Sequence, residues 1–220
     1  MTTLQGASFV ASKFDGILGM AFKTISADDV TPVYEVMFQA GLIEDNSFQF
    51  YLSKDPSAAG SQLVLGGTDA SLTKGDFNYH NLSSETYWEI GLDDMTVNGT
   101  SLGFSGAKGV VDSGTSLIVG ASKFITPLLN KIGTVASDCS DISSHPNIAF
   151  VIDGTTYELT PQQYILQITA GSETECLLAI QAANFPAQLA DVIIMGDVFM
   201  RPYTVHFDYG KNRVGFAEAA

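Results

Sequence analysis

The chain has 220 residues, of which 24 are acidic and 10 basic, giving a formal net charge of −14. So few Lys and Arg, none of them clustered, cannot build the basic face that nucleic acid or an anionic membrane surface requires. No apolar run reaches the roughly 18 residues of a membrane span, while 45 % hydrophobic residues suffice for an ordinary globular core.

Met1 to Phe9 lack both the positive start and the apolar stretch of a signal peptide. A first helix is predicted from Thr31-Pro32, read as N-cap and first helical residue. Val33, Val36, Met37 and Ala40 form its inward stripe, and Gly41 stops it. Strand-like alternation follows at Phe48, Phe50 and Leu52, then turn-formers at Asp55-Pro56 and Gly66-Gly67. Trp88, Ile90 and Leu92 alternate likewise, and Asn98-Gly99 between apolar flanks is the strongest hairpin signal. Phe124, Leu128 and Ile132 stripe a second helix with Gly133 just past its end. Strands are expected again at Ile148, Phe150 and Ile152 before the Asp153-Gly154 turn, and at Tyr203, Val205 and Phe207 before Gly210-Lys211-Asn212. A third, shorter helix is read from Phe185 to Ala190. With 21 glycines, many beside apolar residues, the pattern is mainly β with small helices packed outside.

Cys139 and Cys176 are the only cysteines, and their spacing fits a disulfide and two unrelated thiols equally well. His80, His145 and His206 are scattered, and no pair has metal-ligand spacing, so neither a metal nor another cofactor is expected. Asn81-Leu82-Ser83 and Asn98-Gly99-Thr100 match the N-glycosylation acceptor pattern, which also arises by chance.

The chemistry concentrates in Lys108 to Val119. A β-branched apolar strand runs into Asp112, then a hydroxyl-Gly-hydroxyl turn, Ser113-Gly114-Thr115, then a second apolar strand. Burying a carboxylate at a strand end is costly unless the turn supplies donors; Ser113 and Thr115 offer hydroxyls at short range, and Gly114 permits close backbone approach. Asp-Ser-Gly also occurs in plain capped surface turns. The apolar run on each side favours a buried, functional acid. A fainter signal is an internal echo: Phe14-Asp15-Gly16-Ile17-Leu18-Gly19-Met20 and Ile193-Ile194-Met195-Gly196-Asp197 both place two bulky apolar residues directly before a glycine. Two copies of one device point to two related lobes.

Val111 to Leu117 resembles the second active-site loop of the pepsin-like aspartic protease family. Phe14 to Gly19 resembles the segment that the family pairs with its first active-site loop, and Tyr87-Trp88 with Ile90 resembles the start of its second lobe. Ile194 to Arg201 with Tyr203 and Phe207-Asp208 resembles its C-terminal signature, and Val214-Gly215-Phe216-Ala217 its closing strand.

The resemblance implies a pepsin-like acid protease fold. Residues 1–75 would be the later part of an N-terminal lobe and residues 76–220 a complete C-terminal lobe. Asp112 would be one of two catalytic aspartates, with Ser113, Gly114 and Thr115 as its supporting loop. Phe14, Ile17, Tyr87 and Ile194 match positions that line substrate subsites, core packing being their plain alternative. Cys139 and Cys176 match a second-lobe disulfide. The family's first Asp-Thr/Ser-Gly loop and its covering flap have no counterpart in this sequence. The chain is therefore expected to work on a peptide or protein substrate only with a light chain or upstream segment carrying the other aspartate. A second copy of the chain is a lesser way to supply it, and a non-catalytic pepsin-fold binding or antigenic module is the alternative function. An oxidising route ending in a secreted or lysosome-like acidic compartment completes the expectation.

Overall fold

The computed structural model describes residues 14–54, 59–171 and 173–220. The readings made at Met1 to Phe9 and at Asp55-Pro56 lie outside the described residues. The strands are β1 (Ser47–Tyr51), β2 (Gln62–Leu65), β3 (Thr73–Glu85), β4 (Trp88–Leu92), β5 (Asp94–Val97), β6 (Thr100–Ser101), β7 (Ala107–Val111) and β8 (Ile118–Ala121). They continue as β9 (Ile148–Ile152), β10 (Thr155–Leu159), β11 (Ile165–Ala170), β12 (Glu173–Leu178), β13 (Ile180–Ala183), β14 (Val192–Met195), β15 (Tyr203–Asp208) and β16 (Arg213–Ala219). Short helices lie between them: α1 (Val33–Gln39), α2 (Ser122–Ile132), α3 (Pro161–Tyr164) and α4 (Asp197–Met200). Ten strands form one mixed sheet in the order β13-β8-β14-β7-β4-β3-β16-β15-β1-β2; β10-β9-β5-β6 form a second, and β11 and β12 a hairpin. This is the expected mainly-β architecture.

The alternating runs form strands, although in β1 Gln49 is fully buried and Phe50 only half-buried, and Leu52 lies beyond the strand's end. Trp88, Ile90, Leu92, Ile148, Phe150, Ile152, Val205 and Phe207 are all buried. Asn98 and Gly99, both at positive φ, turn β5 into β6. In α2 the stripe of Phe124, Leu128 and Ile132 is buried, and Gly133 ends the helix at φ 81°.

The first helix departs from expectation. It begins one residue later, with Pro32 as N-cap, and its buried residue is Tyr34. The Tyr34 ring stacks on Tyr209 at 5.3 Å, meets Phe48 at 5.2 Å, and its hydroxyl donates to the Ser47 carbonyl at 2.8 Å. A large ring with a satisfied hydroxyl takes the inner face, so Val33 and Val36 point outward and stay exposed. The helix expected from Phe185 to Ala190 shrinks to a single 3₁₀ turn, Ala187–Leu189. Helix α3 was not anticipated. A capping box holds it, the Gln163 carboxamide accepting from the Thr160 N–H at 2.7 Å.

The cysteine question resolves as a disulfide. Cys139 and Cys176 are bonded, with Cα atoms 5.2 Å apart, tying the loop after α2 to β12. The junction of residues 75 and 76 falls inside β3, and β1 and β2 extend the sheet that β15 and β16 belong to. An aromatic knot holds the early segment to the rest. Trp88 meets Phe22, Phe207 and Tyr209 at 5.0, 5.1 and 4.7 Å. Trp88 Nε1 and the Tyr209 hydroxyl both donate to the Met20 carbonyl, at 2.8 and 3.0 Å.

One buried base sets a pH dependence. His206, on β15, meets the Tyr79 hydroxyl with Nδ1 at 2.8 Å, while its buried Nε2 has no hydrogen-bond partner among the described residues. Burial lowers its pKa; Asp208 and Asp45 oppose this, and Arg213 and Lys211 reinforce it. A base whose folded pKa is depressed contributes stability that is present above its unfolded pKa, roughly 6.5, and is lost as pH falls through that range. His206→Gln removes the titration, so the variant should gain stability relative to wild type between pH 8 and pH 4. Urea midpoints at the two pH values test this, and an unchanged difference between the proteins defeats it.

Candidate active site

The loop around Asp112 is a consequence of strand order. β7 and β8 are consecutive, yet β14 lies between them, parallel to β7 and antiparallel to β8. The chain leaving β7 at Val111 must therefore step over the end of β14 before entering β8 at Ile118. Residues 112–117 make that step. Three backbone bonds fasten it: Asp112 N–H to Met195 O at 3.2 Å, Asp197 N–H to Thr115 O at 2.8 Å, and Val198 N–H to Ser116 O at 3.2 Å. Gly196 sits directly beneath. A Cβ there would lie 2.1 Å from Thr115 O and 2.3 Å from Leu117 O, so no larger residue fits without moving the loop.

Asp112 itself is half-buried, with Ser113 and Gly114 exposed beside it. The Gly114 N–H donates to Asp112 Oδ1 at 2.9 Å and the Thr115 hydroxyl to Oδ2 at 2.6 Å. Each carboxylate oxygen thus has one fixed donor and keeps further acceptor capacity toward the open side. Among the described residues, no hydrogen bond engages the Ser113 hydroxyl.

Asp112, Ser113 and Gly114 line a groove of about 380 Å³ together with Ile17, Leu18, Tyr87, Phe48, Trp88 and Phe207. Two of the four residues expected to contact substrate, Ile17 and Tyr87, are brought to Asp112 by this groove. The other two are not among its lining residues. Phe14 is exposed, and Ile194 is in the middle of β14, opposite Val110 and Val119. Thr115 faces the carboxylate rather than the groove.

A second acid emerges from the packing. Asp197, the first residue of α4, is raised in pKa chiefly by burial, with Arg201 lowering it and Asp112 raising it further. Its place in the sequence, one residue after the glycine of a repeated apolar-apolar-glycine device, was the available signal; only the fold shows it standing behind the Asp112 loop.

The sequence matches the family described as "Eukaryotic aspartyl protease" over residues 1–219, and the chain belongs to that family. Among curated relatives, "Cathepsin D" of Chionodraco hamatus is 43 % identical over 223 residues, covering 97 % of this chain and 56 % of its own length. "Cathepsin D" of Gallus gallus is 41 % identical over 222 residues, with the same 97 % and 56 % coverage. "Cathepsin D" of Homo sapiens is 40 % identical over 228 residues, covering all of this chain and 55 % of its own length. The chain spans about half the length of the curated relatives it matches.

Proposed function

We propose that this chain supplies one carboxylate, Asp112, of an aspartate pair that hydrolyses peptide bonds at acidic pH, and that the other comes from polypeptide outside these 220 residues. The observation that carries this reading is a contrast between the two echoed segments. Around Gly196 the device is packed: Met195 is buried, Ile194 is half-buried and the Asp112 loop covers the glycine. Around Gly19 the same device is bare. Ile17 is 76 % and Leu18 54 % exposed, and among the described residues a Cβ on Gly19 would meet nothing within 4 Å. By the symmetry of the two segments, a strand and aspartate loop would cover Ile17 to Gly19 as β7 and residues 112–117 cover Ile193 to Gly196. The groove already lying between that face and Asp112 would then hold a carboxyl on each side.

Residues 1–75 would accordingly complete a first lobe only with that added polypeptide, and residues 76–220 would be the second lobe. Two adjacent carboxyls repel as anions and share a proton, titrating as a pair. With one proton between them, one acts as general base on a water in the groove and the other as general acid on the scissile carbonyl. Thr115 holds the Asp112 carboxylate, Ser113 offers its hydroxyl to the opposing loop, Gly114 lets the substrate backbone approach, and Ile17 and Tyr87 wall the side-chain subsites. The disulfide and the scarcity of basic residues support an oxidising route to an acidic compartment, where little positive charge would build up. Asn81 and Asn98 are exposed and suit glycan attachment on that route.

A peptide inhibitor that mimics the tetrahedral intermediate tests the reading. Tight binding at acidic pH is expected when the chain is combined with polypeptide carrying the upstream half-lobe, and not with the chain alone. A correctly assembled mixture that neither binds the inhibitor nor cleaves peptide would make the chain a non-catalytic module of the same fold.

A further inference from the structure

In a chain with 24 acids and 10 bases, carboxylates are plentiful, and five of the cations pair with one. Lys23, Lys74, Lys108, Lys123 and Arg213 each pair with Asp or Glu. Lys54, Lys131, Arg201 and Lys211 do not: among the described residues none of these has a carboxylate within the 4.0 Å of an ion pair, and of the four Lys54 and Arg201 lie together. Their hydrogen bonds go instead to neutral carbonyls, Lys54 Nζ to Ala219 O at 3.2 Å and Arg201 Nη1 to Ser53 O at 2.8 Å. These bonds fix the two side chains without neutralising them.

Both line one cavity of about 360 Å³, between the chain leaving β1, helix α3 and the end of α4. Gln162, Gln163 and Gln167 provide its neutral polar lining, and Pro202 closes it together with the start of β11. The cavity is separate from the Asp112 groove, with which it shares no lining residue.

We infer that this cavity is a carboxylate-binding site, taking the acidic side chain or terminus of a peptide. Lys54 contributes a point charge and Arg201 its remaining guanidinium N–H donors, the group best shaped for a carboxylate. The glutamines, each donor and acceptor, match the amides flanking a carboxylate in a peptide. The charges around the site are consistent with an unmet anion. Burial and neighbouring Lys74 both lower the pKa of Lys54, and Glu218, itself paired with Lys74, only partly opposes them. Asp197 interacts electrostatically with Arg201 but does not form an ion pair with it. A bound carboxylate would restore the balance, which makes the site attractive to an anion despite the chain's overall −14. Its chemistry is independent of peptide hydrolysis at Asp112.

The test is an NMR titration of the 220-residue chain at pH about 6.5, where a peptide carboxylate is ionised. Acetyl-Gly-Asp-Gly-amide should move the Lys54 and Arg201 side-chain signals saturably, and acetyl-Gly-Asn-Gly-amide should not. Lys54→Gln, an exposed change expected to leave the fold intact by circular dichroism, should weaken the Asp peptide about tenfold through loss of one charge-assisted bond. Sodium acetate as a third arm separates the sources. Binding much weaker than the peptide's assigns the site to polypeptide carboxylates, and equal binding assigns it to small free ones. Indifference of the Lys54 and Arg201 signals to both Asp peptide and acetate overturns the inference, as does equal binding of the Asp and Asn peptides or unchanged affinity in Lys54→Gln.

Discussion

In the assembly proposed above, Asp112→Asn should reduce hydrolysis of acid-denatured globin by at least about a hundredfold while leaving the fold of this chain almost untouched. The rate loss follows from removing the ionisable group of one member of an acid–base pair, a contribution of roughly 10²–10⁴-fold. The small structural effect follows from the two bonds the side chain makes. An asparagine oxygen can still accept from the Gly114 N–H, and its amide can donate to the Thr115 hydroxyl, which accepts as readily as it donates. The unfolding midpoint should therefore stay within about 1 kcal/mol of wild type. Globin cleavage at the wild-type rate by the Asn variant removes Asp112 from the mechanism. A variant that unfolds instead assigns Asp112 a structural role that its half-buried, two-bond setting does not indicate.

The largest expected loss of stability is at Gly196. Its backbone is ordinary extended chain, φ −79°, so the penalty for alanine is steric alone. A Cβ placed 2.1 and 2.3 Å from two carbonyl oxygens must displace the loop by about an ångström. That displacement strains the Asp197–Thr115 and Val198–Ser116 bonds that hold Asp112 in place. Overpacking of this kind typically costs 1–3 kcal/mol, and at contacts against backbone rather than a yielding side chain Gly196→Ala should reach at least about 3 kcal/mol. Gly19→Ala is the control that makes the measurement informative. It should be nearly neutral in the isolated chain, where among the described residues its Cβ meets nothing within 4 Å, and harmful to joining with the half-lobe proposed above. Urea denaturation of both variants, and an association assay for the second, check the pair. Equal effects of the two substitutions in the isolated chain would break the symmetry argument.

Much of the fold was legible because its signals are local. Alternation at Trp88–Leu92 and Ile148–Ile152 needs only a period of two, and Asn98-Gly99 needs only the left-handed backbone that both residues tolerate. Helix α1 shows where that reasoning stops. Val33 and Val36 are apolar at helical spacing, but Phe48 and Tyr209, distant in sequence, offered their rings to Tyr34 and turned the helix round. The capping box at Thr160 and Gln163 was present in the sequence and signals a helix too short to show a periodic stripe. At the site, Asp112 stood out because an acid between two apolar strands is unusual. The meaning of Gly196 and Asp197 did not, because it depends on β14 lying between two strands that are neighbours in sequence. Ile194 illustrates the same point in one residue. Its neighbours Ile193 and Met195 are buried, while Ile194 is half-buried on the opposite face of the strand, beside Val110.

That strand insertion also governs when the site can exist. The residues that grip the Asp112 loop, Met195, Gly196 and Asp197, are synthesised about eighty residues after it. Contacts so far apart in sequence close late and slow the folding of the proteins that depend on them. During synthesis the aspartate leaves the ribosome long before the strand that positions it, and domains of this size are most exposed to misfolding in that interval. The carboxylate is thus withheld from its working geometry until nearly the whole chain has been made, so a prematurely terminated product carries the acid without the means to orient it.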